Sequence, residues 1–396
     1  MSEPADMRPL KLFLVAGEHS GDALGAKLMS ALNARAPGAI TYAGIGAEGM
    51  AREGLNSLYP MSDVAVMGPL SILPRLPRLI ARVYKTVDAA LAFKPDAVVI
   101  IDAPEFTHPI AKRIRRRMPS VPIVDYVSPS VWAWRPGRAR RMRDYVDHVM
   151  ALQPFEPAVH RRLGGPPCTY TGHPMIERLP WIEALDPAPL AARLALKPDE
   201  LLLVVLPGSR VSEVGRLMKP FGDCIARLKA MGFEPRVVIP AMPHVRGQIE
   251  AASRDWAIVP TMLDGEEDKF RAFKLARAAL AASGTVTLEL ALAQVPMVVG
   301  YKVDPIAERF KFLLNVPSIV LANLVAGENA FPEFVQDACN GEVLAAALSP
   351  LLSGTDARVK QLRCLAGIPV RMRLATGTPS EAAANIVLRF ARQIRA

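Results

Sequence analysis

The sequence predicts an α/β protein made of two doubly wound, Rossmann-like domains that face each other across a cleft. Three observations carry that expectation. Near mid-chain, residues 201–206 form an unbroken apolar run closed by Pro207-Gly208-Ser209-Arg210. Such a run, bounded by turn residues, reads as a strand covered by helices on both faces of a parallel sheet. A second strand and turn of the same type, residues 10–16 followed by Gly17-Glu18-His19-Ser20-Gly21-Asp22, opens the chain. The length of 396 residues divides into two or three domains at ~150 residues each. Ligands bind at the carboxyl ends of strands in open α/β sheets, so both turns are candidate binding elements, with Arg210 at the end of its strand.

Composition narrows the class of partner. Net charge is +10, and residues 1–180 hold 23 Lys and Arg against 16 Asp and Glu, so most of the basic excess lies in the first half. That bias suits nucleic acid, anionic lipid or phosphorylated substrates equally. Cys168, Cys224, Cys339 and Cys364 are far apart, which indicates neither a metal pair nor a disulfide framework, and reduced thiols are expected. Residues 1–9 are polar, unlike a signal peptide, and no apolar run reaches the ~18 residues of a spanning helix. The expected location is the cytoplasm or a membrane surface.

In the first domain, the strand at 11–16 turns at 17–22 into a helix. Backbone amides of that turn suit an anion or a sugar hydroxyl, with Glu18, His19 and Asp22 adding side chains; the alternative is a tight turn capped by Ser20 or Asp22. Gly44-Ile45-Gly46-Ala47-Glu48-Gly49 matches G-x-G-x-x-G, but Asp63, near the distance at which a dinucleotide site places its acid, has no apolar strand before it. Across residues 64–83, apolar residues including Met67, Leu70, Leu73 and Leu76 interleave with Arg75, Arg78 and Arg82. Pro69, Pro74 and Pro77 exclude one unbroken helix. Such a segment either lies in a membrane interface or packs on the sheet. Residues 97–101 read as a buried strand tipped by Asp102, the place for a general base or for a helix cap ahead of Pro104. His108, one turn further, is read as incidental. A strand at 121–127 leads into Ser128-Pro129-Ser130-Val131-Trp132-Ala133-Trp134-Arg135 and then Arg138, Arg140, Arg141 and Arg143. Tryptophan beside arginine can stack bases, but no nucleic-acid module signature occurs, and a phosphorylated or lipid-bearing ligand fits at least as well.

In the second domain, Asp186-Pro187-Ala188-Pro189 reads as a linker, and strands are expected at 201–206, 235–239, 257–259, 278–282 and 297–299. Asp264, Glu266, Glu267 and Asp268 read as a solvated helix start, not a metal site. Ser283-Gly284-Thr285 opens a helix containing Glu289. Small residues there let amides approach a pyrophosphate at the positive helix end, with Glu289 available to ribose hydroxyls; Ser283 as a plain cap is the alternative. Asn323, the one polar residue in Leu321-Ala322-Asn323-Leu324-Val325-Ala326-Gly327, is either a turn residue or a ligand. The chain has no D-x-D motif, which argues against a nucleotide sugar carried on a metal. Thr378-Pro379-Ser380-Glu381 is a capping box with Pro at the first helical position.

These features suggest a two-domain nucleotide-sugar glycosyltransferase, and the chain closely resembles the lipid-A-disaccharide synthase family. The resemblance is carried by Val15-Ala16-Gly17-Glu18-His19-Ser20-Gly21-Asp22, Ile101-Asp102-Ala103-Pro104-Glu105-Phe106, the run from Tyr126 through the Ser-Pro-Ser-Val-Trp-Ala-Trp stretch to Arg135, Leu206-Pro207-Gly208-Ser209-Arg210, Ala282-Ser283-Gly284-Thr285 with Glu289, and Asn323-Leu324-Val325-Ala326-Gly327. It implies a GT-B type fold. It also implies transfer of 2,3-diacylglucosamine from its UDP carrier to the 6-hydroxyl of 2,3-diacylglucosamine 1-phosphate, with inversion and with no metal or cofactor. The product is a β-1,6 disaccharide, with UDP released.

By the same resemblance Asp102 is the base and Arg210 the cation facing the leaving diphosphate. Glu18, Ser20, Gly21, Ser128, Trp132, Ser283, Gly284, Thr285, Glu289 and Asn323 are substrate-binding residues. Met67, Leu70, Leu73 and Leu76 are membrane contacts on the cytoplasmic face of the inner membrane. The expected domains are 1–184, facing acceptor and membrane; 185–350, binding the UDP-sugar; and 351–396, helices packing back on the first domain or on the partner subunit of a homodimer. No nucleic-acid partner is expected. The rivals are an epimerase of the same architecture, such as a UDP-N-acetylglucosamine 2-epimerase, and a non-catalytic lipid or nucleotide binder.

Overall fold

Aliphatic runs that cannot be solvated on either side become the central strands of two parallel sheets. The structure, a computed structural model, describes residues 8–64, 76–303 and 317–393. Met67, Leu70 and Leu73 therefore lie outside the described residues. The chain divides into two units, Met1–Pro174 with Leu374–Ala396, and Met175–Arg373.

In the first unit, β1 (Leu10–Ala16), β2 (Ile40–Ile45), β3 (Ala97–Ile101), β4 (Ile123–Tyr126), β5 (His148–Ala151) and β6 (Cys168–Tyr170) pair in parallel in the order β2-β1-β3-β4-β5-β6. All five residues of β3 are buried, as helices on both faces of a parallel sheet require. The chain steps outward from β1 to β2 and then reverses to β3, so the topological switch point lies between β1 and β3. Ala16 pairs with Ile101 and Ile101 with Tyr126; Gly17, Asp102 and Val127 thus leave the sheet at one level.

The G-x-G-x-x-G stretch is a packing device. Gly44 has φ 137°, and a Cβ there would lie 1.8 Å from the Leu14 carbonyl oxygen, so only glycine permits the β1–β2 contact. The Asp22 carboxylate accepts hydrogen bonds from the amides of Ala47 (2.6 Å), Gly49 (2.9 Å) and Met50 (3.1 Å). The helix start at Glu48–Arg52 already holds an anion from its own chain, which takes the place a pyrophosphate would need.

In the second unit, β7 (Leu202–Leu206), β8 (Arg236–Pro240), β9 (Thr261–Leu263), β10 (Ala276–Ala282), β11 (Met297–Tyr301) and β12 (Glu333–Val335) follow the order β12-β11-β10-β7-β8-β9. This is the dinucleotide-fold order, with its switch point between β7 and β10. Leu206 pairs with Ala281, and Ala282 with Gly300, which brings Gly208, Ser283 and Tyr301 to the same edge. The strand expected at 257–259 forms instead at Thr261–Leu263. Val259 is 63% exposed, and Pro260 has no N–H for a ladder. The short edge strand β12 was not anticipated.

The observed divisions differ from 184/185 and 350/351 for identifiable reasons. Trp181 packs on Phe270 at 5.3 Å, and Lys274 Nζ donates to the carbonyls of Glu183 and Leu185, which ties residues 175–184 to the second unit. The proposed linker at 186–189 is a helix start: the Asp186 carboxylate accepts from the Ala188 amide at 2.9 Å, opening the helix Ala188–Arg193. Gln361, on the helix Asp356–Met372, exchanges hydrogen bonds with both backbone groups of Met297 and keeps that helix in the second unit. The helix Pro379–Gln393 instead places Ala383, Ala384 and Val387 in the core of the first unit. Its capping box forms as expected, Glu381 Oε2 accepting from the Thr378 amide (2.9 Å) and Thr378 Oγ1 from the Glu381 amide (3.3 Å).

Candidate active site

At the β1/β3 switch point two glycines allow close approach. A Cβ on Gly17 would lie 2.6 Å from Ala103 Cβ, and one on Gly21 would lie 3.1 Å from the Ile101 carbonyl. The start of the helix His19–Arg35 therefore settles against the end of β3, and Ser20 Oγ donates to Asp102 Oδ2 at 2.9 Å. The Ala103 amide donates to Asp102 Oδ1 (2.8 Å), and Thr107 Oγ1 donates to the Asp102 carbonyl (2.8 Å). The Asp102 amide donates to the Tyr126 carbonyl (3.0 Å). Asp102 (φ 55°) and Ala103 (φ 44°) are both left-handed, a conformation that costs on the order of 1–3 kcal/mol per non-glycine residue and concentrates at functional sites. The β-branched Val127, at the same level, has φ 90°. The carboxylate still has lone pairs to offer a substrate proton.

Beside this turn lies an apolar cavity of about 620 Å³ whose lining includes Gly17, Glu18, Leu76, Ile80, Ala103 and Phe106. Leu76, the one expected membrane contact among the described residues, is 45% exposed. Arg78 and Arg82 are engaged by the Asp63 carboxylate.

Ser128 is buried, and its hydroxyl lies 2.8 Å from His160 Nε2 and 3.0 Å from the Pro129 carbonyl. It is an internal tie between the end of β4 and the helix that carries His160. Burial lowers the His160 pKa to about 4. Trp132 is half-buried and meets the Phe155 ring edge-on at 5.5 Å. Next to it, burial lifts the Glu156 pKa to about 8, against hydrogen bonds that pull it down.

His108 is not incidental. It is buried, with Nδ1 2.9 Å from the Tyr145 hydroxyl and Nε2 3.3 Å from Asp125 Oδ2. Burial raises the Asp125 pKa, His108 opposes the rise, and the Asp102 charge adds to it. An aspartate inside the apolar strand β4 was the sequence signal for this group.

The second unit presents its own set at the β7/β10 switch point. Gly208 has φ 107°, and the turn it makes places Arg210 at the start of the helix Val211–Ala230, where Arg210 Nη1 lies 2.8 Å from Glu213 Oε1. Burial, then the Glu213 charge, raises the Tyr301 pKa, with Arg210 and Arg216 acting against it. Ser283 Oγ donates to the Ile319 carbonyl at 2.7 Å, so the Ser283 hydroxyl is partly committed. Gly284 has φ 150°, and the space where a Cβ would stand is open. Thr285 precedes the short helix Val286–Leu292. Glu289 is held by Lys269 Nζ, which donates to both carboxylate oxygens at 3.0 and 2.9 Å.

Asn323 ties together the loop around it. It is 2% exposed. Its Nδ2 donates to Ser318 Oγ (3.1 Å) and the Phe331 carbonyl (2.9 Å), and its Oδ1 accepts from the Phe331 amide (2.9 Å). Both amide protons are spent on the fold, so Asn323 shapes its loop. Glu213, Tyr301, Arg216 and Lys269 were not singled out from sequence: Lys269 acts through Glu289, twenty residues on, and Tyr301 is influenced by Glu213, Arg210 and Arg216 from a distant segment. The acidic run at 264–268 starts the helix Gly265–Leu275 and pairs with arginines including Arg178, Arg193 and Arg246.

Two Rossmann-like units, each with a turn leaving the carboxyl ends of its strands at the switch point, define the GT-B fold class. The chain matches the solved UDP-GlcNAc 2-epimerase from Neisseria meningitidis bound to UDP-GlcNAc with TM-score 0.63 at 14% identity, over 97% of this chain and 100% of that one. It matches Acinetobacter baumannii MurG with TM-score 0.57 at 14% identity, over 96% and 100%. These likenesses speak to fold alone. The family model described as lipid-A-disaccharide synthetase matches residues 12–382. Lipid-A-disaccharide synthase of Rhodopseudomonas palustris strain HaA2 is 49% identical over 384 residues, covering 97% of each chain; that of Nitrobacter hamburgensis is 48% identical over 382 residues, covering 96% of this chain and 95% of its own. The chain belongs to the lipid-A-disaccharide synthase family and is a glycosyltransferase of lipid A biosynthesis.

Proposed function

We propose that the chain joins UDP-2,3-diacylglucosamine to 2,3-diacylglucosamine 1-phosphate, with Asp102 as the base. The observation that carries this reading is the Asp102 carboxylate at the β1/β3 switch point, held on a left-handed backbone by Ser20 and the Ala103 amide. Asp102 takes the proton of the acceptor 6-hydroxyl as that oxygen attacks the donor anomeric carbon. The new C–O bond forms as the bond to the diphosphate breaks, UDP leaves, and the centre inverts. Arg210, oriented by Glu213, offsets the charge gathering on the leaving diphosphate. The open backbone at Ser283, Gly284 and Thr285 accommodates the diphosphate, and Glu289, oriented by Lys269, accepts from the ribose hydroxyls. The apolar cavity bounded by Gly17, Glu18 and Ala103 receives acyl chain, and Trp132 offers a ring face to sugar. Gly21 contributes by admitting the helix start to the end of β3.

The acyl chains of both substrates, the basic excess of the first half and the exposed Leu76 support docking on an anionic membrane surface. No helix among the described residues is long and apolar enough to cross a membrane. The test is UDP release from UDP-2,3-diacylglucosamine in neutral detergent micelles with excess EDTA, with and without acceptor. Release that requires the acceptor, with a disaccharide product by mass, is expected. Release without acceptor would make the protein a hydrolase and overturn the reading.

A further inference from the structure

The first unit holds a second, smaller cavity that the transfer step does not use. It measures about 200 Å³, and its walls carry Lys112, Arg135, Arg138, Arg141, Tyr145 and Glu105. Lys112 belongs to the helix Pro104–Arg117, which begins two residues after Asp102; Arg138 and Arg141 belong to the helix Gly137–Met142. Glu105 is the single carboxylate in the lining. It pairs with Arg138 and lies 3.7 Å from Arg135, so four cations face one anion. Burial, then the positive charges of Arg141, Arg138 and Arg116, lowers the Lys112 pKa, with the Asp144 charge acting against them. Cations gathered this closely repel one another and define a strong local field for an anion.

Pro104, Glu105 and Pro109 line both this cavity and the apolar one. A basic and an apolar compartment thus share one wall that starts two residues after the candidate base. Resting on the transferase reading above, we infer that the basic cavity holds the phosphomonoester of the sugar-phosphate acceptor while the apolar cavity holds its hydrocarbon. A phosphomonoester carries about −1.5 to −2 charge at neutral pH and three oxygens suited to guanidinium forks. The phosphate on C1 and the attacking hydroxyl on C6 flank the ring oxygen, one on a ring carbon and the other on the exocyclic carbon of C5, so they are separate groups on neighbouring parts of the sugar. An anchor beside Asp102, and not on it, therefore leaves the hydroxyl facing the carboxylate.

The experiment compares wild type with the Lys112→Gln, Arg141→Gln double variant, both positions being exposed, and with Arg138→Ala. Acceptor-dependent UDP release is measured in neutral detergent micelles, using 2,3-diacylglucosamine 1-phosphate and the same sugar with a free 1-hydroxyl. Thermal melting checks that each variant is folded. Charge-assisted contacts of this kind are worth about tenfold or more each. The double variant is expected to lose at least tenfold of the wild-type kcat/KM preference for the phosphorylated acceptor, with donor KM within about twofold of wild type. An unchanged preference in folded variants overturns the assignment. A defect that appears only when substrates are presented on anionic vesicles, and not in neutral micelles, also overturns it and assigns the cluster to lipid headgroups. Absence of acceptor-dependent release by wild type is a separate failure, that of the transferase reading itself, and removes the basis of this one.

Discussion

Asp102 stands out less for being an acid at a strand tip than for the backbone that presents it. Two successive left-handed residues without a glycine are held by hydrogen bonds from Ser20, Ala103 and Thr107. That aim is worth keeping only if the carboxylate must point at something. Asp102→Asn preserves shape and removes basicity, so kcat is expected to fall by about 10²- to 10⁴-fold while UDP affinity, measured by calorimetry, stays near wild type. Ser20→Ala leaves the carboxylate in place without one of its two oriented donors. Its kcat is expected to fall by roughly tenfold, with donor KM unchanged, because Ser20 acts through Asp102 and does not hold the nucleotide. Wild-type turnover in Asp102→Asn would remove Asp102 from the chemistry. A rise in donor KM without a change in kcat in Ser20→Ala would make Ser20 a ligand and not a positioning residue.

The helix Leu76–Phe93 shows how one element divides its surface. Val83, Thr86, Val87 and Ala90 are buried, while Leu76, Ile80 and Tyr84, four residues apart, are 45%, 48% and 45% exposed. Exposed apolar residues at that spacing form one stripe, the shape that lies in a membrane interface. Replacing Leu76 and Ile80 with Ser is expected to weaken flotation with anionic vesicles by tenfold or more, since each buried aliphatic side chain contributes roughly 1.5–3 kcal/mol, with melting temperature unchanged. Undiminished flotation would assign the stripe elsewhere.

Elements of this kind also show what the sequence can tell. The strands at 10–16, 97–101 and 201–206 were legible because a parallel sheet buried on both faces leaves an unbroken apolar run, and so were the positions of Asp102, Arg210 and Gly284 just beyond strand ends. The internal partners of Ser128 and Asn323 were not, because a motif records a side chain's identity but not the groups its hydrogen bonds reach. The same limit hid the Asp22 cap behind a G-x-G-x-x-G match, and hid Lys269 and Glu213, whose roles exist only once the chain has folded. The linker reading at 186–189 failed for a smaller reason: prolines that break helices also begin them.

At the scale of the molecule, the two units carry unequal titratable burdens. The first unit contains His148, His160 and His173, each lowered by burial from 6.5 to about 4, and Glu156, raised by burial from 4.5 to about 8. A histidine with a depressed folded pKa contributes stability that is present above 6.5 and is lost as pH falls toward 4. A glutamic acid with a raised folded pKa is favoured protonated, so its contribution is present below 4.5 and is lost as pH rises toward 8. Between pH 4.5 and 6.5 unfolding takes up about three protons at the histidines and releases about one at Glu156. Stability of the first unit therefore rises with pH there, by up to about 3 kcal/mol per pH unit from these groups. Between 6.5 and 8 the histidines no longer contribute and the Glu156 contribution falls by about 1.4 kcal/mol per unit, with Asp125, also raised by burial, acting in the same sense. The first unit is thus expected to be most stable near pH 6.5. Urea melts from pH 4 to 9, followed by proteolysis to assign each transition to its unit, test this. Glu156→Gln is expected to flatten the alkaline limb while leaving the acid limb in place, because the histidines do not depend on the Glu156 charge. A first-unit transition that strengthens steadily through pH 8 would show that Glu156 is ionised in the folded chain, in which case the loop carrying Trp132 must admit water to its carboxylate; an alkaline decline that survives Glu156→Gln would assign it to another buried acid such as Asp125, whose pKa burial also raises.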